Sequence, residues 1–423
     1  MKKNKYFLMT LLLTALSTFN CFGQPEKDKI VPKANLIDSG AICSTFGYYN
    51  STPESPNGRY IVFTKYKEVP VQNQSVVGII TIFDIKNNIY KEITEVKNAN
   101  IHDGVMTLWV DNEIIAFQDG ELTPINLDEY DYLNNGWYDR VSFVNIRTGK
   151  KWTSNIPGRI GHESINGKVL IAAMHPLNGF WGLYEVNVKN HEERFICDPS
   201  IFESLVEKNV SKERNSIYWK LLHATYSPNG KRVAMRLDVR KKGEMLNGGG
   251  SQTTTVIIDT VGSNPIYFGE QPLHFSWFDN KTIIGFCGDK ENGPLRKGEY
   301  QMKGFENKGG GLCRFELNPI ECIEKLSAFG NHLGISPNKM WYASENWYQE
   351  DSVELRLYKK YIYSPYSIVT KNFYGKRTWN KPGPVHINPS FSRDGKTLFF
   401  TEVTDGVRFQ AKWIDLKPII CRH

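Results

Sequence analysis

With 423 residues, 40% hydrophobic and 23% charged, the chain is long enough for two or three ordinary domains and apolar enough to bury substantial cores. Its formal charge of +7 includes Lys2, Lys3 and Lys5; setting those three aside leaves +4. So mild a balance argues against the dense basic face of a nucleic-acid-binding protein, while allowing an anionic ligand at one local site.

Met1-Lys2-Lys3-Asn4-Lys5 precedes an apolar run from Tyr6 to about Phe19. That run is too short to span a bilayer and reads as the core of a signal peptide over residues 1–23, cleaved before Gln24. Phe19-Asn20 is a poor match for the small residues expected ahead of a lipidated Cys21, so soluble export to the periplasm or exterior is preferred to a lipid anchor. Six cysteines then remain, with no C-x-x-C pair. Cys313 and Cys322 flank one turn and are placed to bridge a hairpin; Cys43 and Cys421 lie at opposite ends that a closed ring would bring together. Simple burial of the thiols is the alternative.

From residue 24 to 423 one pattern repeats. Tight turns centred on Asn57, Asn112, Asn166, Asn229, Asn280, Asn338 and Asp394 precede hydrophobic strands, at spacings of 55, 54, 63, 51, 58 and 56 residues. Ser55-Pro56-Asn57-Gly58, Ser227-Pro228-Asn229-Gly230 and Ser392-Arg393-Asp394-Gly395 show the motif most clearly. Such repeats predict an all-β, seven-bladed β-propeller, each blade having strands a to d from the channel outward. Strand b is expected at Tyr60–Tyr66, 113–117, 169–174, 232–236, Thr282–Cys287, 340–347 and Thr397–Val403. Strand c is expected at 77–83, 140–146, 181–188, 253–259, Gly311–Leu317, 354–359 and 408–416. The last blade lacks an outer strand, which the segment around 34–42 is expected to supply, closing the ring.

The a–b turns are short, whereas the b–c connections include the long stretches 118–139, 241–252 and 288–310. The segment 199–214 carries Phe202, Leu205, Val206 and Val210 on one stripe and is expected to be helical, in the d–a connection before blade four. All this elaboration falls on one face, where loops on a rigid scaffold usually carry function.

Aligned on their turns and read six residues upstream, the blades present Ser51, Met106, Ile160, His223, His274, His332 and Asn388. His386, His162 and His102 lie nearby, so six of the nine histidines fall in the d–a connections. A single such histidine reads as a strand-pairing residue; three on one rung of a narrow channel point to a functional cluster.

Val385-His386-Ile387-Asn388-Pro389-Ser390-Phe391-Ser392-Arg393-Asp394-Gly395 resembles the H-x-H-P-x-F-S-x-D-G stretch of the oligogalacturonate lyases, seven-bladed propellers that act on pectin fragments. The resemblance implies a divalent metal, manganese or calcium, held by His386, His332 and Asn388, with His274 as the base. Asn388 stands where the motif has its second histidine, and Gly383 where the family has a glutamine ligand. The chain thus reads as a divergent relative, similar also to Tol-type propeller repeats. Its implied activity is that of a polysaccharide lyase on an acidic oligosaccharide.

That chemistry removes the proton at C5 of a uronate, which requires the adjacent carboxylate to be neutralised. A neutral histidine, His274 or His223, suits the base; Tyr48, Tyr49 or Tyr226 would protonate the leaving oxygen. Arg159, Arg232 and Arg236 are candidate neutralisers, with Arg236 and Arg159 preferred by position. Two other readings stand beside this one: a non-catalytic scaffold binding glycan or protein, and a histidine-dependent glycoside hydrolase. Walker-type loops and nucleophile elbows are absent from the sequence. Tyr130, Tyr132, Trp137, Tyr138 and Trp347 read equally as a sugar platform or as packing under loops.

Overall fold

The computed structural model describes residues 29–420, apart from 31–33, 38–39, 71–75, 100–103, 120–139, 178–179, 206–216, 242–251, 269–271, 288–310, 328–331, 346–351, 361, 374–385 and 404–407. Alternating apolar runs form seven antiparallel sheets arranged as blades around a channel. The inner strands are Cys43–Thr45, Thr107–Trp109, Arg159–Ile165, Ile217–Tyr226, Leu273–Trp277, Leu333–Ile335 and Ser390–Phe391. Tyr60–Tyr66, Thr282–Cys287, Thr397–Val403 and Gly311–Leu317 have the bounds read from the sequence, and the other second and third strands shift by a few residues.

The period of two explains why both faces of these strands are apolar. On Tyr60–Tyr66, Val62 joins a core shared with blade two, while Ile61 and Phe63 join a core shared with blade seven. Likewise Val233 and Met235 pack toward blade three, and Ala234 toward blade five. Seven buried clusters result, one at each blade interface. The ring closes as expected: Asn35–Leu36 pairs antiparallel with Phe409–Asp415 and becomes the outer strand of blade seven. Lys29–Ile30 adds a further, parallel strand outside blade six.

The repeated turn has a specific hydrogen-bond pattern. Ser55 Oγ donates to Asn57 Oδ1 at 2.8 Å and accepts from the Tyr60 amide at 2.9 Å, while Asn57 Oδ1 also accepts from the Arg59 amide. Ser227, Ser336 and Ser392 repeat it with Asn229, Asn338 and Asp394. The next residue is left-handed at φ 69°, 67° and 73° for Gly58, Gly230 and Gly395, which explains glycine there. In blade six that place is taken by Lys339, at φ 60°.

The described part of 199–214 is helical as expected, a 3-10 helix at Pro199–Leu205. Phe202 and Leu205, three residues apart, share a face in such a winding, with Phe202 buried and Leu205 exposed. One expectation changes. Cys313 and Cys322 are thiols in mutual contact on the outer hairpin of blade five, not a disulfide. Cys421, His102, Gly383, the proposed aromatic platform and the signal segment lie outside the described residues. Among the described residues no helix is long and apolar enough to cross a membrane.

Candidate active site

The inner strands do not run as regular ladders past the histidine rung. Pairing with the second strand skips between Ile160 and Ser164, between Leu222 and Thr225, and between Leu273 and Ser276. His223, His274 and Asn388 are left-handed there, with φ of 54°, 49° and 47°. Histidine and asparagine are among the few non-glycine residues that adopt this conformation readily. Each bulge turns a side chain out of the ladder and toward the channel.

Five imidazoles from five consecutive blades follow one another around the axis. Ring centroids are 5.2 Å apart for His162 and His223, 6.3 Å for His223 and His274, 4.5 Å for His274 and His332, and 4.2 Å for His332 and His386. At their centre lie Tyr48 and Tyr49, from the segment that follows the short inner strand of blade one. Tyr48 stacks on His223 at 5.2 Å and Tyr49 on His332 at 4.8 Å. His162, His223, His332 and His386 are buried, and only His274 is half-buried.

Hydrogen bonds fix the tautomers on one side of the ring. His162 donates from Nδ1 to the Tyr49 carbonyl at 2.8 Å, so its Nε2 accepts from His223 Nδ1 at 3.1 Å. His223 therefore keeps an unprotonated Nε2. Burial, then Arg159, His162, Arg236 and His274, hold its pKa well below the usual histidine value, so it is neutral at pH 7.

On the other side stands Glu345, fully buried on the second strand of blade six, Trp341–Glu345. Its Oε1 accepts from His332 Nδ1 and, at 3.2 Å, from His386 Nδ1; its Oε2 accepts from the Ile387 amide at 2.7 Å. With Nδ1 of His332 so engaged, its Nε2 accepts from the Tyr48 hydroxyl at 3.3 Å. His332, Glu345 and His386 each offer a ligand atom within 4.8 Å of the others, a spacing able to hold a metal ion. Asn388 is also buried, and its Oδ1 has no hydrogen-bond partner among the described residues.

Of the residues singled out in the sequence, the structure thus brings His223, His274, His332 and His386 together. The Arg159 guanidinium lies 5.4 Å over the Tyr48 ring, and Arg236 pairs across the ladder with Leu222, next to His223. Tyr226 is elsewhere: its hydroxyl donates to Glu185 at 3.0 Å, in a network with Lys168 and Arg194 between blades three and four. It therefore meets Glu185 and not the histidines. Arg232 pairs with Asp259 on its own blade.

Glu345 went unnoticed in the sequence, although the repeat held the signal. It lies seven residues after the Asn338 turn, the place that Arg236 has after Asn229. A carboxylate there, in a second strand that is buried throughout, requires buried partners.

No family model and no curated protein sequence matches the chain. Among solved structures it is similar to an oligogalacturonate lyase from Vibrio parahaemolyticus, at 12% identity and a TM-score of 0.54, over 92% of this chain and 96% of that one. It is similar also to an oligogalacturonate lyase in complex with manganese, at 13% identity and a TM-score of 0.50, over 92% and 98% of the two chains. The β-propeller domain of the Trilobed protease from Pyrococcus furiosus follows at 11% identity and a TM-score of 0.46, over 87% and 95%. At such identities the likeness to the lyases is one of fold, the seven-bladed propeller.

Proposed function

We propose that this chain is an exported carbohydrate-active propeller that cleaves a uronate-containing oligosaccharide by β-elimination at the histidine mouth of its channel. The observation that carries this reading is the convergence of five imidazoles and one buried carboxylate from consecutive blades. His274, the half-buried member, is assigned as the base that takes the C5 proton. The positive charges of Arg159 and Arg236 favour an anionic substrate at this mouth. The Tyr48 hydroxyl, already beside His332 Nε2, is the assigned donor to the leaving oxygen.

A divalent metal belongs to this reading. His332, His386 and Asn388 would hold it by two imidazole nitrogens and an amide oxygen, the last buried without a hydrogen-bond partner among the described residues. This mixed donor set fits manganese better than calcium, which takes oxygen ligands throughout. When bound, such an ion supplies positive charge against a substrate carboxylate. Glu345 contributes by holding both imidazoles in one orientation.

The test is to incubate the protein with a panel of acidic oligosaccharides, with and without manganese, and follow ultraviolet absorbance of the 4,5-unsaturated product. Unsaturated product that is lost in His274→Ala supports the reading; its absence across the panel overturns it. Saturated fragments would instead indicate a histidine-dependent hydrolase. One observation favours the second reading, a non-catalytic scaffold binding glycan or protein: Tyr48 and Tyr49 fill the centre of the histidine ring. On that reading His274→Ala changes neither turnover nor binding.

A further inference from the structure

The opposite mouth of the channel holds a cavity of about 390 Å³, lined by residues of all seven blades between the histidine rung and the tight turns. Its volume is at the low end of small-molecule sites, which begin at about 300 Å³. His162 forms part of its floor, so the cavity and the histidine cluster are separated by little more than that ring and the two tyrosines.

Three charged side chains line it: Glu163 from the inner strand of blade three, and Lys339 and Arg393 from the turns of blades six and seven. Among the described residues neither the Glu163 carboxylate nor the Lys339 ammonium makes a side-chain hydrogen bond, whereas Arg393 Nε donates to the Glu54 carbonyl at 3.1 Å. Lys339 occupies the left-handed turn position that is glycine in blades one, four and seven. A lysine there costs about 1 kcal/mol relative to glycine, so the turn itself gains nothing from it. What the lysine adds is a cation at the cavity.

The hydroxyl lining has a definite polarity. Ser164 Oγ donates to the Trp109 carbonyl at 2.7 Å, Thr52 Oγ1 to the Phe391 carbonyl at 2.9 Å, and Ser276 Oγ to Asn50 Oδ1. Their hydrogens are thus committed to the protein; Thr52 Oγ1 also accepts from the Glu54 amide at 3.4 Å, and each oxygen keeps a lone pair able to accept from a ligand. Two cations together with a ring of acceptors match a molecule bearing one carboxylate and several hydroxyl donors.

We propose that this tight-turn mouth is a second ligand site, for a small polyhydroxy carboxylate of the hexuronate class. Its carboxylate is held by Lys339 and Arg393, and its hydroxyls donate to Thr52, Ser164 and Ser276. This inference does not depend on whether the histidine mouth is catalytic.

Glu163 makes the site sensitive to pH. Enclosure by the cavity walls pushes its pKa up to about 7, with Lys339 and Arg393 opposing the rise. More than a third of its surface still meets the cavity, so water there also works against that rise. Beyond those two cations, the surrounding charged groups are Glu54 beside Arg393, Asp279 toward Lys339, and the neighbouring His162. Above its pKa the carboxylate repels an anionic ligand; below it, the repulsion is gone.

Titration calorimetry of the full protein with sodium glucuronate, glucose and inorganic phosphate tests the site. Glucuronate should bind more tightly at pH 6 than at pH 8, and at least about tenfold more tightly than glucose. Lys339→Asn, a residue that accepts the left-handed turn, should weaken glucuronate at least about tenfold, while His274→Ala should leave it unchanged. Glu163→Gln should remove the difference between pH 6 and pH 8. Equal binding of glucose and glucuronate, binding lost in His274→Ala but kept in Lys339→Asn, or tighter phosphate than glucuronate overturns the proposal. Should Lys339→Asn not fold, an unchanged pH dependence in Glu163→Gln overturns it equally.

Discussion

The two mouths of the channel are built on the same seven inner strands, yet they treat their polar groups in opposite ways. At the histidine mouth, four of the five imidazoles are buried, and Glu345 accepts from His332, His386 and the Ile387 amide at once. At the tight-turn mouth, Glu163 and Lys339 face a cavity with no side-chain hydrogen bond among the described residues. Around Glu345 the first is a closed network whose members depend on one another; the second is an open set of charges facing water. Closed networks lose much when one member is removed, because each loss leaves a buried group unsatisfied. Open ones lose little stability, and their substitutions register in ligand binding instead.

Three measurements would sharpen or break that contrast. The largest effect is expected from Glu345→Ala, which leaves two imidazole N–H groups and one amide without an acceptor in a fully buried place. We expect a loss of about 3–5 kcal/mol in denaturant unfolding; a loss below about 1 kcal/mol, the worth of one ordinary hydrogen bond, would show that the network is not closed. Tyr48→Phe keeps the ring stacked on His223 and removes only the hydroxyl beside His332 Nε2. It should cost about 1 kcal/mol, read in the same experiment.

The smallest change should come from Glu163→Gln. Its folded pKa of about 7 lies above the ordinary glutamate value of about 4.3, so the native state binds the extra proton between those values. Wild-type stability therefore falls as pH rises through that window, and glutamine removes the slope. The variant should melt higher than wild type at pH 8 and match it at pH 4, by a modest margin because cavity water screens the charge. A variant that melts lower at pH 8 would mean that Glu163 forms a stabilising pair.

Much of this was readable before the structure. The Ser-Pro-Asn-Gly turns recur because serine and asparagine side chains close a local hydrogen-bond pattern, and local patterns leave a local trace. Counting from those turns placed His223, His274 and His332 on one rung, with His386 beside Asn388. The same count applied to the second strand would have found Glu345, since Arg236 holds the equivalent place. Tyr226 was misjudged for a different reason: closeness to the rung in sequence does not say which face of the strand a side chain takes, and its hydroxyl goes to Glu185. Cys313 and Cys322 were rightly placed together, although proximity in a hairpin does not decide oxidation.

By itself the sequence determined the blade count, the strand order and the ring closure by the segment around Asn35–Leu36, because turn chemistry and the period of two are properties of short segments. Only the tertiary structure decided what meets at the channel axis. That Tyr48 and Tyr49 occupy the centre of the histidine ring, that Glu345 joins His332 to His386, and that Glu163, Lys339 and Arg393 line one cavity all depend on seven distant segments converging. The physical reason is the bulge: a single left-handed residue such as His223 re-aims its side chain, and no local periodicity records where the new direction leads.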